Sequence, residues 1–206
     1  MKGTVNVVVS AAGLSVQGLV SKEASGGIPP QEKALSPAKS GTLSTRTSDT
    51  AGTLTLATGH GLVQDNVIDI FWTDSGGVLK CAYGATVGLV NGNEVPFTGA
   101  SGDALPAQDT AITTQKPTEL DCDFDGDKAV LLVAMMKTHG GHVAFVDSGD
   151  AVLKAQALQA NEPLLWWKNG PFAAPITGNP VDAVVISNAG TAEATFQLTG
   201  LVDSDT

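Results

Sequence analysis

Charge is scarce in this 206-residue chain. Asp, Glu, Lys and Arg together make up 16% of it, where a soluble domain carries about a quarter. The charge present leans acidic, with 11 Lys+Arg against 21 Asp+Glu and a net charge of −10. Residues 1–118 hold 7 basic and 9 acidic side chains, a balance of −2, and residues 119–206 hold 4 and 12, a balance of −8. With no basic patch to neutralise phosphates, a nucleic-acid-binding surface is excluded. The acidic excess disfavours anionic membranes. Aromatic residues are only 5%, few for a carbohydrate-stacking platform. Two cysteines, Cys81 and Cys122, make no disulfide framework. Two free thiols are the preferred reading, with a Cys81–Cys122 bridge left open. No apolar run approaches the ~20 residues of a membrane-spanning helix. The N-terminal run Val5–Val9 is too short and too alternating for a secretory signal, so the chain is expected to be made in the cytoplasm.

What the chain has in quantity is small and β-prone residues. Hydrophobic residues are 42% and glycines number 24, enough for a core and for many turns. Thr4–Val9 and Leu14–Val20 read as a first strand pair. Residues 21–41 are rich in breakers, among them Ser25-Gly-Gly-Ile-Pro-Pro30 and Ser36-Pro-Ala-Lys-Ser-Gly41, and read as an extended arm or long loop. Thr53–Ala57 alternates cleanly, and Val67–Trp72 is a stronger strand. Leu79–Tyr83 and Thr86–Val90 follow, and Asn91-Gly92 marks a hairpin. Its return strand Glu94–Phe97 holds Pro96 and is expected at an edge. Ala111–Thr114 is a further strand. A faint echo links Leu54–Gly59, Gln64-Asp65 and Val67-Ile68 to Val95–Gly99, Gln108-Asp109 and Ala111-Ile112. Chance and a duplicated hairpin unit both fit it. Beyond a boundary at Lys116–Glu119, the apolar run Ala129–Met136 reads as a strand buried on both faces, with Val143–Val146 returning. Residues 150–160 suit a helix capped by Asp150 or a strand equally. Pro163–Gly170 reads as a strand with a turn at Asn169-Gly170, and strands over Val181–Ile186 and Ala194–Leu201 complete the chain. The expectation is a mainly β protein: two small antiparallel β-barrel or β-sandwich domains, 1–117 with the arm 21–41, and an acidic 118–206.

Candidate chemistry is thin. Asp121, Asp123, Asp125 and Gly126 match the opening of a calcium loop. The twelfth position, which should supply a bidentate Glu, is Leu132. A solvated acidic turn is therefore preferred, with those three carboxylates kept as candidate calcium ligands. His139 and His142 flank a Gly-Gly turn, but a metal needs further ligands, which His60, Cys81 or Cys122 would have to bring from afar. Two exposed histidines on a turn is the preferred reading. No serine sits in a Gly-x-Ser-x-Gly elbow, and no glycine-rich loop is followed by the Lys-Ser/Thr of a phosphate cradle. Neighbouring residues of a strand face opposite sides, so Trp166 and Trp167 cannot share one core. One can be core, and the other must be exposed or covered by a loop, a domain or a neighbouring subunit; an interface and a loop cover fit equally. The interface candidates are Trp166 and Trp167 with Ile28, Pro29, Pro30 and Leu35 of the arm.

Thr58-Gly-His-Gly-Leu62 before a Trp-bearing strand, Leu105-Pro-Ala107 and Ile186-Ser-Asn188 resemble small β-rich virion proteins of tailed bacteriophages. The resemblance is one of general style and carries over no functional residue. It implies a non-enzymatic structural protein of the virion without a cofactor, a symmetric homo-oligomer (trimer or hexamer) that contacts the major capsid protein or tail proteins. A capsid decoration or cement protein ranks first, and a tail-tube, neck or fibre component second. A host- or carbohydrate-binding module, calcium-dependent through the Asp121–Asp127 loop, is the alternative of another class.

Overall fold

The computed structural model describes residues 5–11, 14–20, 26–121, 128–147, 149, 151–167, 181 and 183–203. Among these the chain is all-β, with no helix. In chain order the strands are β1 (Val5–Ala11), β2 (Leu14–Val20), β3 (Gly26–Leu35), β4 (Lys39–Arg46), β5 (Gly52–Leu56), β6 (Val67–Thr73), β7 (Leu79–Val87), β8 (Glu94–Thr98) and β9 (Ser101–Gly102). There follow β10 (Ala111–Gln115), β11 (Thr118–Asp121), β12 (Lys128–Met136), β13 (Gly141–Val146), β14 (Val152–Leu158), β15 (Pro163–Trp167), β16 (Ala183–Asn188) and β17 (Ala194–Asp203). β1 and β2 form a two-stranded antiparallel sheet of their own, with Val5 opposite Val20 and Val9 opposite Val16.

The first body is a sheet in the order β6-β10-β4-β5-β8-β7, and β7 pairs back onto β6, so the pairings run in a closed circuit. Leu43, Leu54, Leu56, Ile68, Ile70, Val95, Phe97 and Ile112 fill its core. The circuit has an internal two-fold relation: exchanging β4 with β7, β5 with β8 and β6 with β10 maps β5–β8 and β6–β10 onto themselves and the other neighbour pairs onto one another. The relation holds at residue level. In β5–β8, the Leu54–Val95 pair is flanked by Thr53–Pro96 and Thr55–Glu94. In β6–β10, the Ile70–Thr114 pair is flanked by Asp69–Gln115 and Phe71–Thr113. Asp65 and Asp109 share a φ of 66°, a left-handed conformation that Asp tolerates better than most residues. Asp65 N–H donates to Val87 C=O (2.9 Å) as Asp109 N–H donates to Leu43 C=O (2.8 Å). The echo in the sequence thus marks two copies of one three-stranded unit.

The second body is two four-stranded antiparallel sheets, β11-β16-β13-β14 and β15-β12-β17-β3. They share a core that includes Leu132, Met136, Val143, Phe145, Ile186, Phe196 and Leu198. Alternation sets which face is buried. From Leu132 to Met136 buried and half-buried residues alternate, so this part of β12 is not covered on both faces as its apolar run suggested. β13 is buried at every residue. Val143 and Phe145 point into the sandwich core, and the strand also lies against β7 of the first body.

Four expectations are corrected. Residues 26–35 are not an arm or loop but strand β3, paired along β17 of the second body. Pro29 and Pro30 escaped recognition because proline cannot donate to a ladder. They are accommodated because β3 is an edge strand, and because both fall opposite the single residue Thr199, between the Ile28–Gly200 and Gln31–Leu198 pairs. Leu35, expected at an interface, is 1% exposed in its own chain's core. Pro96 is not at an edge: β8 lies between β5 and β7. Its missing N–H costs nothing there, since the β7–β8 pairing covers only Phe97 and Thr98 and the Pro96 carbonyl accepts from Gly88 N–H at 2.8 Å. The segments read as strands 79–83 and 86–90 are one strand, β7, with Gly84 at a φ of 69° inside it. Residues 152–158, left between helix and strand, are β14.

Candidate functional site

The side chains with chemical potential meet where the two bodies join. β6 is buried on both faces: Ile68, Ile70 and Trp72 enter the first core, which leaves Asp69 and Phe71 on the outer side. A carboxylate there must be satisfied by the neighbouring body, because an unpaired buried charge is prohibitively costly. Asp69, 2% exposed, is satisfied by three donors. Its Oδ2 accepts from His142 Nδ1 at 3.0 Å and from Ser187 Oγ at 2.5 Å, and its Oδ1 accepts from Gly84 N–H at 2.9 Å. His142 comes from β13 and Ser187 from β16, so one carboxylate ties two strands of the sandwich to the closed sheet. Tyr83 stacks on the His142 ring with centroids 4.4 Å apart and planes 16° from parallel.

The bonding continues around this centre. Thr113, the two-fold counterpart of Asp69, donates through Oγ1 to Ala189 C=O at 2.7 Å. Gln115 takes Asn188 N–H on its amide oxygen and donates to Ser36 C=O. Ala38 N–H donates to Gly190 C=O at 2.8 Å, and Asn188 Nδ2 donates to Ser36 C=O at 3.1 Å. The linker between β3 and β4 is therefore held by the same loop that the Thr113 and Gln115 side chains hold.

Asp69, His142 and Ser187 share the composition of a hydrolytic triad but not its order. In a triad the serine bonds the imidazole nitrogen that the carboxylate does not hold. Here serine and imidazole donate to the same carboxylate oxygen. His142 Nε2 is buried without a hydrogen-bond partner. Cys81, 3% exposed, lies beside them: Asp69, Cys81 and His142 each offer a ligand atom, all within 4.8 Å of one another. Burial pushes the Cys81 thiol well above its ordinary range, and the charges of Asp69 and Asp103 push it further. The thiol is held protonated and is no nucleophile.

Folded protein at neutral pH is expected to leave Cys81 unmodified by iodoacetamide while unfolded chain is alkylated, as peptide mass analysis would read. The folded state holds this proton more tightly than the unfolded chain. Its contribution to stability is therefore present below the thiol's ordinary titration range and is lost as pH rises above it, by at most about 1.4 kcal/mol per pH unit. Denaturation midpoints from neutral to alkaline pH, with a chelator present, should show this slope, and Cys81→Ala should remove it.

The structure brings Cys81 to His142 but not to His139 or His60. His142, expected exposed on a turn, is 2% exposed. His139 instead packs where any side chain at Gly190 would collide with it. His60 braces its own turn, contacting Gly92 C=O at 3.1 Å through Nε2 and accepting from Leu62 N–H at 3.0 Å through Nδ1. It lines a cleft of about 310 Å³ with Ser36, Lys39, Thr114, Gln115 and Lys116. Asp121 ends β11 opposite Ala183, and the candidate ligands Asp123 and Asp125 lie outside the described residues, as does Cys122. Cys81 is a free thiol. Ile28 is a β3 position and Trp166 and Trp167 are β15 positions, opposite Gly200, Leu132 and Leu131 respectively.

Asp69, Tyr83 and Ser187 were not singled out from the sequence. Asp69 had a usable signal: a lone carboxylate within the apolar run Val67–Trp72 is rarely buried unless paired. Comparison with protein-family models, with curated proteins and with solved structures returns no match.

Proposed function

We propose that this chain is a non-enzymatic structural protein of a tailed-bacteriophage virion, a decoration or cement protein that stabilises the shell through contacts between subunits. The observation that carries the reading is the junction. The cluster that unites Asp, His, Ser and Cys is sealed inside the protein, out of reach of a substrate, and its hydrogen bonds join two β bodies into one block. A block of this kind suits a part that must keep its shape under load.

Two further features support an assembling role. The β1–β2 sheet pairs with no other described strand, and a lone hairpin is marginal in water without further cover, which a neighbouring subunit would provide. The low charge and the abundance of small neutral residues fit a surface buried in an assembly. A tail-tube, neck or fibre component is the second reading, since the same block could be built into a ring; symmetry separates the two.

The test is electron microscopy of the full chain mixed with phage heads lacking their decoration and, separately, with tails. Regularly placed density on the shell is expected. Density on tails alone would move the assignment to the tail, and binding to neither would overturn the reading.

A further inference from the structure

Asp69 on β6, Cys81 on β7 and His142 on β13 converge from three strands of two bodies. All three are buried, with ligand atoms within 4.8 Å of one another. We propose that they form a metal site for a borderline transition-metal dication, zinc first, and that the ion fastens the closed sheet to the sandwich.

The donor set selects the ion. Thiolate, imidazole and carboxylate together suit zinc and its first-row neighbours, whereas calcium and magnesium take oxygen donors. One thiolate and one carboxylate would neutralise the dication, so the occupied site would bury no net charge. The spacing is close to what is needed. Oxygen and nitrogen ligands about 2.0–2.1 Å from a tetrahedral ion stand about 3.3 Å apart, and Asp69 Oδ2 and His142 Nδ1 are 3.0 Å apart, so the ion would take the place of the proton that His142 Nδ1 donates to Asp69. The 4.8 Å spread of the set requires the sulfur to move by roughly an ångström, given Zn–S bonds of about 2.3 Å.

Supporting groups are already placed. Ser187 Oγ and Gly84 N–H hold the Asp69 carboxylate, and Tyr83 fixes the plane of the imidazole, the kind of outer support that ligating side chains use. The inference stands whether or not the chain belongs to a virion.

The experiment uses the full chain carrying Cys122→Ser, in which Cys81 is the one remaining thiol. It is refolded with Co²⁺ alone, and its absorption is recorded. A near-ultraviolet thiolate-to-cobalt charge-transfer band is expected at about one ion per chain. Zn²⁺ should displace the cobalt and abolish the band. Asp69→Asn, in the same background, should weaken Co²⁺ binding by about 10-fold or more. Cobalt bound without a charge-transfer band, or no cobalt bound to a chain that circular dichroism shows to be folded, would overturn the site. Because the reading needs only the Cys122→Ser chain, it does not depend on whether variants at Cys81 fold.

Discussion

Asp69→Ala is expected to lower the unfolding free energy by about 3–5 kcal/mol, a large loss for one side chain. The substitution removes the acceptor of three donors at once: His142 Nδ1–H, Ser187 Oγ–H and Gly84 N–H. Each is left in a site sealed from water, at about 1–3 kcal/mol per unsatisfied group. The three losses will not add fully, because the groups share one cavity. Asp69→Asn should recover part of the loss, since it keeps the volume and one carbonyl acceptor but turns an NH2 toward a donor. Urea unfolding reads the effect as a lower midpoint with an unchanged slope. A loss under about 1 kcal/mol would mean that the carboxylate does not hold the bodies together.

Gly141→Ala is the second large effect, expected at about 3 kcal/mol or as failure to fold. Gly141 opens β13, opposite Asn188 of β16 and Leu158 of β14. A Cβ there would lie 2.2 Å from the Ser187 carbonyl oxygen and 2.7 Å from Met136 Cε. The methionine can move, but the carbonyl belongs to the backbone of a paired strand and cannot yield without opening the sheet. The displacement would shift Ser187 and His142, the residue next in sequence, so it should couple non-additively with Asp69→Ala in a double-mutant cycle. Thermal unfolding of single and double variants measures this. Additive losses would place the two residues in independent parts of the fold.

How much of this could be read in the sequence depended on whether local pattern and tertiary role agreed. The strands read over Val67–Trp72 and Thr53–Ala57 were legible because β-branched and apolar residues recur between turn formers, and they correspond to β6 and β5. The Asn91-Gly92 turn was legible from its tolerance of positive φ, and Gly92 has a φ of 58°. β3 and β4 were not legible. The prolines and glycines of residues 25–41 signal a break, and that signal is overridden by an edge position, a two-against-one register at Pro29-Pro30 and the long ladder with β17. The repeat was visible only as an echo, because its two halves differ in loop length; hydrogen bonds and the shared φ of Asp65 and Asp109 make them equivalent.

The candidate site was the least legible part. Its members lie at positions 69, 81, 83, 142 and 187, so no spacing rule links them. Each has an ordinary role within its own strand, and only the docking of one body on the other gives the set its chemistry. The pair His139/His142 drew attention because the residues are close in sequence, yet the imidazole that matters pairs with a carboxylate 73 residues away.

The central claim, that the chain is a rigid block made to assemble, is tested most directly by the mass of the intact protein in solution. Multi-angle light scattering across a concentration series is expected to show a closed homo-oligomer, a trimer for a shell component or a hexamer for a ring of the tail. A stable monomer at every concentration, which also binds neither phage heads nor tails, would contradict the account.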